Sequence, residues 1–221
     1  MEKHWTEQLD SLDLSDKKYS QFGEPLIVEF ILDHTSYTDE LFLVDIGAGG
    51  AGRELSNSRY FLEKGWNGLL FDMDGSDGTI KEFITPSNIV HILKSNNCPI
   101  EFDFLNLDID SFDYDVLEEV LKNYLPRVVC VEFNGCLEPT SRLKLKYEEG
   151  YTWDGTDKYG FSLQAGINLF EKYEYKVLLN QNETNIFAVN KDFLPKGFHK
   201  VINGEKQQYH RHNNKAEWIN L

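Results

Sequence analysis

The stretch that most constrains the fold of this chain covers residues 41–52, with the sequence Leu-Phe-Leu-Val-Asp-Ile-Gly-Ala-Gly-Gly-Ala-Gly. Its first four residues are apolar and partly β-branched, which is typical of a strand buried on both faces. Glycines follow where such a strand would have to turn into a helix. Because glycine has no Cβ, a turn of this kind lets the backbone approach a ligand closely.

Two classes of cofactor fit the glycine turn. Gly47, Gly49 and Gly52 match the dinucleotide pattern G-x-G-x-x-G, and Asp72 follows Gly52 by 20 residues, as that pattern requires. Asp45-x-Gly47-x-Gly49 also matches the acidic-Gly-x-Gly form of S-adenosylmethionine (SAM) methyltransferases. A carboxylate at Asp45 would repel a pyrophosphate and attract the ammonium and sulfonium groups of SAM. The charge favours SAM, and a buried strand with an ordinary glycine turn stays open as a third interpretation.

The composition narrows the possible partners and locations of the protein. The chain has 221 residues, of which 41% are hydrophobic, so we expect one globular domain with a full core. Its net charge of −15 would repel phosphate backbones, and we therefore expect no nucleic-acid partner. We see no basic and apolar leader and no apolar run that could span a bilayer. Three cysteines without metal-ligand spacing (Cys98, Cys130 and Cys136) indicate reduced thiols in a cytoplasmic protein.

Strand-like and helix-like segments alternate along the chain, which predicts a mostly parallel sheet with helices on both faces. The expected strands cover residues 41–44, 68–71, 80–84, 102–109, 127–133, 175–179 and 184–189. The expected helices begin at Pro25 and after Ser56, Thr85, Asp113 and Gly160, and Gly65 is the expected stop of the second.

The polar link at residues 180–183 joins the last two strands tightly, so they must be antiparallel. A parallel sheet closed by an antiparallel last strand is the arrangement of SAM methyltransferases, whereas a dinucleotide-binding sheet is normally parallel throughout. We therefore predict an α/β, Rossmann-like class I methyltransferase fold with seven strands and a C-terminal hairpin. The predicted domain covers residues 1–190, with an N-terminal arm at 1–18 and an irregular substrate-side insertion at 134–158. A polar tail at 191–221 follows, and its His199, His210 and His212 are expected at the surface.

The candidate catalytic residues follow the apolar strands directly, and ligands bind at the carboxyl ends of the strands in such a sheet. Asp108 and Asp110 are the nearest candidates for a general base or an acceptor clamp. Together with Glu132 they would raise one carboxyl pKa or share a divalent cation. The metal-free version is favoured slightly, because no histidine has ligand spacing. Alternatively, one of these two aspartates only caps the next helix and the other is a solvated loop residue.

Several blocks of the chain, in order, resemble the FkbM-type class I SAM methyltransferases, and together they cover roughly residues 19–190. The blocks are Tyr19-Ser20-Gln21-x-Gly23-Glu24, Val44-Asp45-Ile46-Gly47-Ala48, Ser56-Asn57-x-Arg59-Tyr60 with Gly65-Trp66, Asp103-Phe104-Leu105-x-Leu107-Asp108-Ile109-Asp110 with Asp113-Tyr114, Val131-Glu132-Phe133-Asn134, Trp153-Asp154-Gly155-Thr156 and Gly160-x-Ser162-Leu163. Asp72 stands where relatives often carry glutamate, and the segment after it is shortened.

The resemblance implies methyl transfer from SAM, in relatives often to oxygen on sugars, glycans or natural products. An NAD-linked oxidoreductase and a non-catalytic protein that binds SAM or a partner remain the alternatives. The insertion lies at a carboxyl strand end, where binding loops are found in such sheets. We therefore expect the aromatic rings of Tyr151 and Trp153 to stack on a sugar or another flat acceptor. The implied cofactor contacts are Gln21, Glu24, Asp45, Gly47, Ala48, Gly49, Asp72 and Asp108, and the acceptor contacts are Asn134, Tyr151, Trp153 and Asp154.

Overall fold

The computed structural model describes residues 8–9, 11–16, 19–35, 41–49, 56–76, 78–181, 184–194 and 216–221. Most of the predicted N-terminal arm, Gly52 and the three tail histidines lie outside these residues. The strands are β1 (Phe42–Ile46), β2 (Asn67–Asp72), β3 (Ile80–Lys81), β4 (Glu101–Leu107), β5 (Leu125–Glu132), β6 (Leu143–Leu145), β7 (Tyr175–Gln181), β8 (Asn185–Asn190) and β9 (Trp218–Asn220). The α-helices are α1 (Glu24–Asp33), α2 (Asn57–Glu63), α3 (Ile89–Ser95), α4 (Asp113–Asn123) and α5 (Leu163–Lys172).

Seven strands form one sheet in the order β3-β2-β1-β4-β5-β8-β7. The pairs from β3 to β5 are parallel, whereas β8 is antiparallel to both β5 and β7. This topology confirms the predicted α/β fold with a mostly parallel sheet and an antiparallel C-terminal hairpin. The strand order reverses between β1 and β4, and ligands bind at such a switch point in doubly wound sheets.

Apolar residues fill both faces of the sheet and explain why these segments become strands. Val44, Leu105 and Val129 lie in the core on the side of α3, α4 and α5. A second core on the other side contains Phe104 and Phe187 together with residues of α1 and α2. Each buried Leu, Val or Phe side chain contributes about 1.5–3 kcal/mol through removal from water, so the two cores stabilise the sheet.

Several predicted boundaries need correction. Strand β3 ends at Lys81 instead of residue 84, and α3 begins at Ile89 instead of directly after Thr85. Between them, the Asn88 side chain accepts the Thr85 N–H (2.7 Å) and donates to the Phe83 carbonyl oxygen (2.8 Å), which closes a turn. Ser56 stands at the N-cap of α2 but makes no capping hydrogen bond. Gly65 follows that helix with a φ of +88°, as expected of a helix stop.

The insertion predicted to be irregular contains a strand, and so does the predicted polar tail. Strand β6 of the insertion pairs antiparallel with β9 at the C-terminal end of the chain. The three-residue pattern Leu-Lys-Leu is too short to indicate a strand by itself, since its partner comes from the other end of the sequence. Among the described residues, no helix has the length and apolarity needed to cross a bilayer.

Candidate functional site

The glycine turn after β1 is packed against the residues that follow β4. Gly47 and Ala48 both donate their backbone N–H to the Phe71 carbonyl oxygen, at 2.9 and 3.0 Å. Asp108 donates its backbone N–H to the Ile46 carbonyl oxygen at 2.9 Å. Gly47 has a φ of +91°, and a Cβ at this position would lie 1.7 Å from the Asp108 carbonyl oxygen. Only glycine fits here, so the turn brings the ends of β1, β2 and β4 together.

Asp45 is fully buried beneath this turn. Its Oδ1 accepts a hydrogen bond from Asn106 Nδ2 at 2.8 Å, and Asn106 Oδ1 accepts one from Asn57 Nδ2 at 3.1 Å. Within the described part of the chain, Asp45 Oδ2 has no hydrogen-bond partner. Burial raises the pKa of Asp45 to about 6, although Ser58 and Asn106 favour its charged form. The site therefore contains a buried acceptor atom that suits a donor group.

Asp72 joins the glycine turn to the loop after β2. Its Oδ2 accepts the Gly49 N–H at 3.0 Å, and its Oδ1 accepts the Asp74 N–H at 3.0 Å. A Cβ on Gly49 would lie 2.9 Å from Asp72 Cγ, so the turn approaches this carboxylate closely. Each carboxylate oxygen keeps a second lone pair, which leaves Asp72 able to accept two hydroxyl groups from a ligand.

Asp108, Asp110 and Glu132 form an acidic cluster, in which one carboxylate oxygen of each lies within 4.8 Å of the other two. Asp108 is exposed by surface area, although protein atoms surround its carboxylate. This burial, together with the charges of Asp113 and Asp110, raises its pKa to about 7. Burial and the charge of Asp108 raise the pKa of Glu132 well above its usual value. The cluster therefore retains a proton near neutral pH or suits a divalent cation.

A fourth acidic residue, Asp113, fixes the turn that carries Asp110. Its buried carboxylate accepts the N–H groups of Ile109 (2.9 Å) and Ser111 (3.0 Å), on either side of Asp110. Asp110 has a φ of +53°, a left-handed conformation that aspartate adopts more readily than most residues. Asp113 therefore holds this turn in place, a role that its position in the sequence did not indicate.

Replacing Asp113 with alanine should lower the free energy of unfolding by about 1–3 kcal/mol, because the Ile109 and Ser111 N–H groups lose their acceptor. Asp113→Asn keeps one acceptor oxygen and should lose less. Urea unfolding of both variants measures the difference. Equal stability of the alanine variant and the wild type would contradict the role assigned to Asp113.

The buried Asp45 should also give a measurable pH dependence of stability. Its pKa is raised from 3.8 to about 6 in the folded state, so the folded protein binds this proton more tightly than the unfolded chain. The contribution of Asp45 to stability therefore falls as the pH rises from about 4 to 7. Over that range, Asp45→Asn should gain about 1–3 kcal/mol relative to the wild type. Urea unfolding at pH 4 and pH 7 tests this, and a constant difference between the proteins would refute it.

The segment with Gln21 and Glu24 reaches the same edge of the sheet. Glu24 is buried, its Oε2 accepts the Phe22 N–H at 3.0 Å, and its Oε1 accepts Asn185 Nδ2 at 3.2 Å. Asn185 lies opposite Glu132 in the pairing of β5 with β8. Glu24 is therefore held next to the end of β5, whereas Gln21 is exposed.

Asn134, a predicted acceptor contact, is buried and uses its amide within the insertion. Its Nδ2 donates to the carbonyl oxygens of Asp157 (2.8 Å) and Tyr159 (2.9 Å), and its Oδ1 accepts the Cys136 N–H at 2.9 Å. Because both donors are engaged, Asn134 shapes the insertion in this structure. Its predicted contact with an acceptor stays a prediction.

The other acceptor candidates, Tyr151, Trp153 and Asp154, lie on the insertion. Tyr151 packs its ring 5.7 Å from the Phe112 ring and donates its hydroxyl to the Lys158 carbonyl oxygen at 2.6 Å. Trp153 is half exposed, with its indole N–H bound to the backbone of its own loop. Asp154 closes that loop by accepting two hydrogen bonds from Thr156. The Tyr151 ring thus lies beside Phe112, two residues after Asp110.

Sequence reasoning missed two further residues of the site. Asn106 is a buried polar side chain within the apolar strand β4, and this interruption of an apolar run was a signal for it. Tyr159 is half-buried, and burial together with the charge of Glu132 raises the pKa of its phenol. Its proximity to Glu132 depends on the path of the insertion, for which the sequence carries no local signal.

Comparisons with known proteins do not assign this chain to a family. No protein-family model matches the chain, and no curated protein matches it. The resemblance to FkbM-type methyltransferases therefore stays a prediction. Among solved structures, the crystal structure of LaPhzM is similar with a TM-score of 0.36 and 13% sequence identity. The match covers 75% of this chain and 55% of LaPhzM, so the chain spans about half the length of that protein.

Proposed function

We propose that this protein is a SAM-dependent methyltransferase that methylates a hydroxyl group of a sugar, a glycan or a small natural product. The observation that carries the proposal is the convergence of the glycine turn, Asp72 and the acidic cluster at the switch point of the sheet. The antiparallel β8 supports it further, because dinucleotide-binding sheets are normally parallel throughout.

The residues at the turn fit the chemistry of SAM. The orphaned Oδ2 of Asp45 suits an ammonium group, and the free lone pairs of Asp72 suit ribose hydroxyls. Gly47, Ala48 and Gly49 would border the amino-acid end of the cofactor, with Gln21, Glu24 and Asp108 nearby. When bound, SAM supplies an electrophilic methyl group attached to a sulfonium.

The acidic cluster would prepare the acceptor. A hydroxyl needs to lose its proton during methyl transfer, and a general base works best with a pKa near the working pH. Asp108, with a pKa of about 7, meets this condition, while Asp110 and Glu132 would bind and orient the hydroxyl. A divalent cation held by the three carboxylates is the alternative way to favour the deprotonated hydroxyl. The negative charge of the cluster disfavours phosphorylated acceptors.

Isothermal titration with SAM, S-adenosylhomocysteine and NAD tests the proposed cofactor. We expect binding of the first two, and Asp72→Ala should weaken it by about 1–3 kcal/mol because a charge-assisted hydrogen bond is lost. Asp74→Ala is the matched control, since Asp74 belongs to the same loop and its side chain binds Ser76.

Tight binding of NAD without SAM would instead support the NAD-linked oxidoreductase. SAM binding without transfer to any acceptor in a screen would support a non-catalytic SAM-binding protein. Equal SAM affinities of Asp72→Ala and the wild type would refute the proposed cofactor site.

A further inference from the structure

The C-terminal end of the chain forms the outer strand of a small antiparallel sheet. In the pairing of β9 with β6, Trp218 lies opposite Leu145 and Asn220 lies opposite Leu143. The pairing continues beyond both strand ends. Lys146 donates its N–H to the Glu217 carbonyl oxygen at 3.0 Å, and Leu221 donates its N–H to the Arg142 carbonyl oxygen at 2.8 Å.

On its other side, β6 is bound to residues 160–162. Leu145 donates its N–H to the Gly160 carbonyl oxygen at 2.9 Å, and Ser162 donates its N–H to the Leu143 carbonyl oxygen at 2.8 Å. Leu143 in turn donates its N–H to Ser162 Oγ at 2.9 Å. Strand β6 is therefore held from both sides, although a strand of three residues with one partner would be marginal.

Residues 160–162 contact both loops that carry the acidic cluster. Gly160 donates its N–H at 2.7 Å to the carbonyl oxygen of Ser111, the residue after Asp110. Asn134, two residues after Glu132, donates its N–H to the Phe161 carbonyl oxygen at 2.8 Å. Backbone hydrogen bonds thus lead from the C-terminal residues through β6 to the loops of the cluster.

We propose that residues 216–221 are a positioning segment of the site. They hold β6 in place, and through residues 160–162 they keep Asp110 and Glu132 at the separation that the cluster needs. The relevance of this segment to catalysis rests on the proposed methyl transfer. The hydrogen-bond connection itself is tested without SAM or an acceptor, so a failed cofactor assignment and a failed positioning role are distinguishable.

Two proline variants separate the pairing from other effects of substitution. Lys146 with Glu217 and Arg142 with Leu221 are hydrogen-bonded pairs, so the alternation of an antiparallel ladder directs the Ile219 N–H toward Lys144. Ile219→Pro removes that donor. By the same alternation the Asn220 N–H points away from β6, and Asn220→Pro is the matched control that leaves the ladder intact.

Amide hydrogen exchange measures the connection in the protein of residues 1–221. In Ile219→Pro we expect exchange of Leu145, Gly160, Ser162 and Asn134 to become about tenfold faster or more, with rates in β1 and β2 unchanged. Asn220→Pro should exchange like the wild type. Carboxyl NMR titration gives a second readout: the part of the raised pKa of Glu132 that comes from the charge of Asp108 should shrink once the carboxylates separate, while the larger part, which comes from burial, should remain.

Two results would overturn the proposal. If only the Leu145 amide becomes faster, and Gly160, Asn134 and the titration of Glu132 remain as in the wild type, the segment does not reach the site. If the amides of β1 and β2 lose protection to the same extent as those of β6, the segment stabilises the whole domain and has no local positioning role.

Discussion

Asp110→Asn is expected to lower the rate of methyl transfer by about 10²-fold, while SAM affinity stays within about twofold of the wild type. The amide keeps the size of the side chain but removes the charge that orients the acceptor hydroxyl or holds a cation. Transfer of radiolabelled methyl from SAM to an acceptor found by screening sugars and natural products measures the loss. Glu119→Gln is the control, because Glu119 is an acidic residue of α4 that pairs with Lys122.

Chelation distinguishes the two forms of this mechanism. If a divalent cation is shared by the cluster, EDTA should abolish transfer and added Mg²⁺ should restore it. Without a metal, the rate should persist in EDTA and rise with pH through about 7, as Asp108 loses its proton and becomes a base. Full activity of both Asp108→Asn and Asp110→Asn, with and without EDTA, would contradict both forms.

Gly47→Ala is expected to have the largest effect on stability, with a loss of about 4 kcal/mol or more in the free energy of unfolding. The new Cβ would lie 1.7 Å from the Asp108 carbonyl oxygen, so the turn and the end of β4 have to separate. Because Asp108 directly follows β4 and is a proposed cofactor contact, SAM binding should be lost together with stability. Urea unfolding and isothermal titration measure the two effects.

Gly65→Ala is the matched control for that variant. Gly65 has a φ of +88°, close to that of Gly47, but nothing lies within 4 Å of an added Cβ. We expect only the cost of the left-handed backbone, about 1–2 kcal/mol, and normal SAM binding. Similar losses in the two variants would mean that the close approach at Gly47 contributes little.

Much of the fold could be predicted because its signals are local. The apolar runs of β1, β4 and β5 mark buried strands, and the short polar link before β8 requires an antiparallel hairpin. The pairing of β6 with β9 could not be predicted, because Leu143 and Asn220 are far apart in sequence and each strand has three residues. The late start of α3 depends on hydrogen bonds of one side chain, Asn88.

The candidate site likewise has some features that the sequence indicates and others that it does not. The convergence of Asp108, Asp110 and Glu132 follows from strand order, since the carboxyl ends of neighbouring parallel strands meet at one edge. The contact of Asp45 with Asn106 depends on the register between β1 and β4, to which a single sequence gives no access. The engagement of the Asn134 amide depends on the path of the insertion, and its position after β5 therefore did not indicate this role.

The position of β8 has a consequence for folding during synthesis on the ribosome. This strand, made near the end of the described chain, enters between β5 and the earlier β7, and all six of its residues are buried. Until residues 185–190 have been synthesised, β5 presents an unpaired apolar edge, which favours association with other chains. The sheet can close only after nearly all of its sequence has emerged, so we expect chaperones to engage the nascent protein until its last central strand arrives.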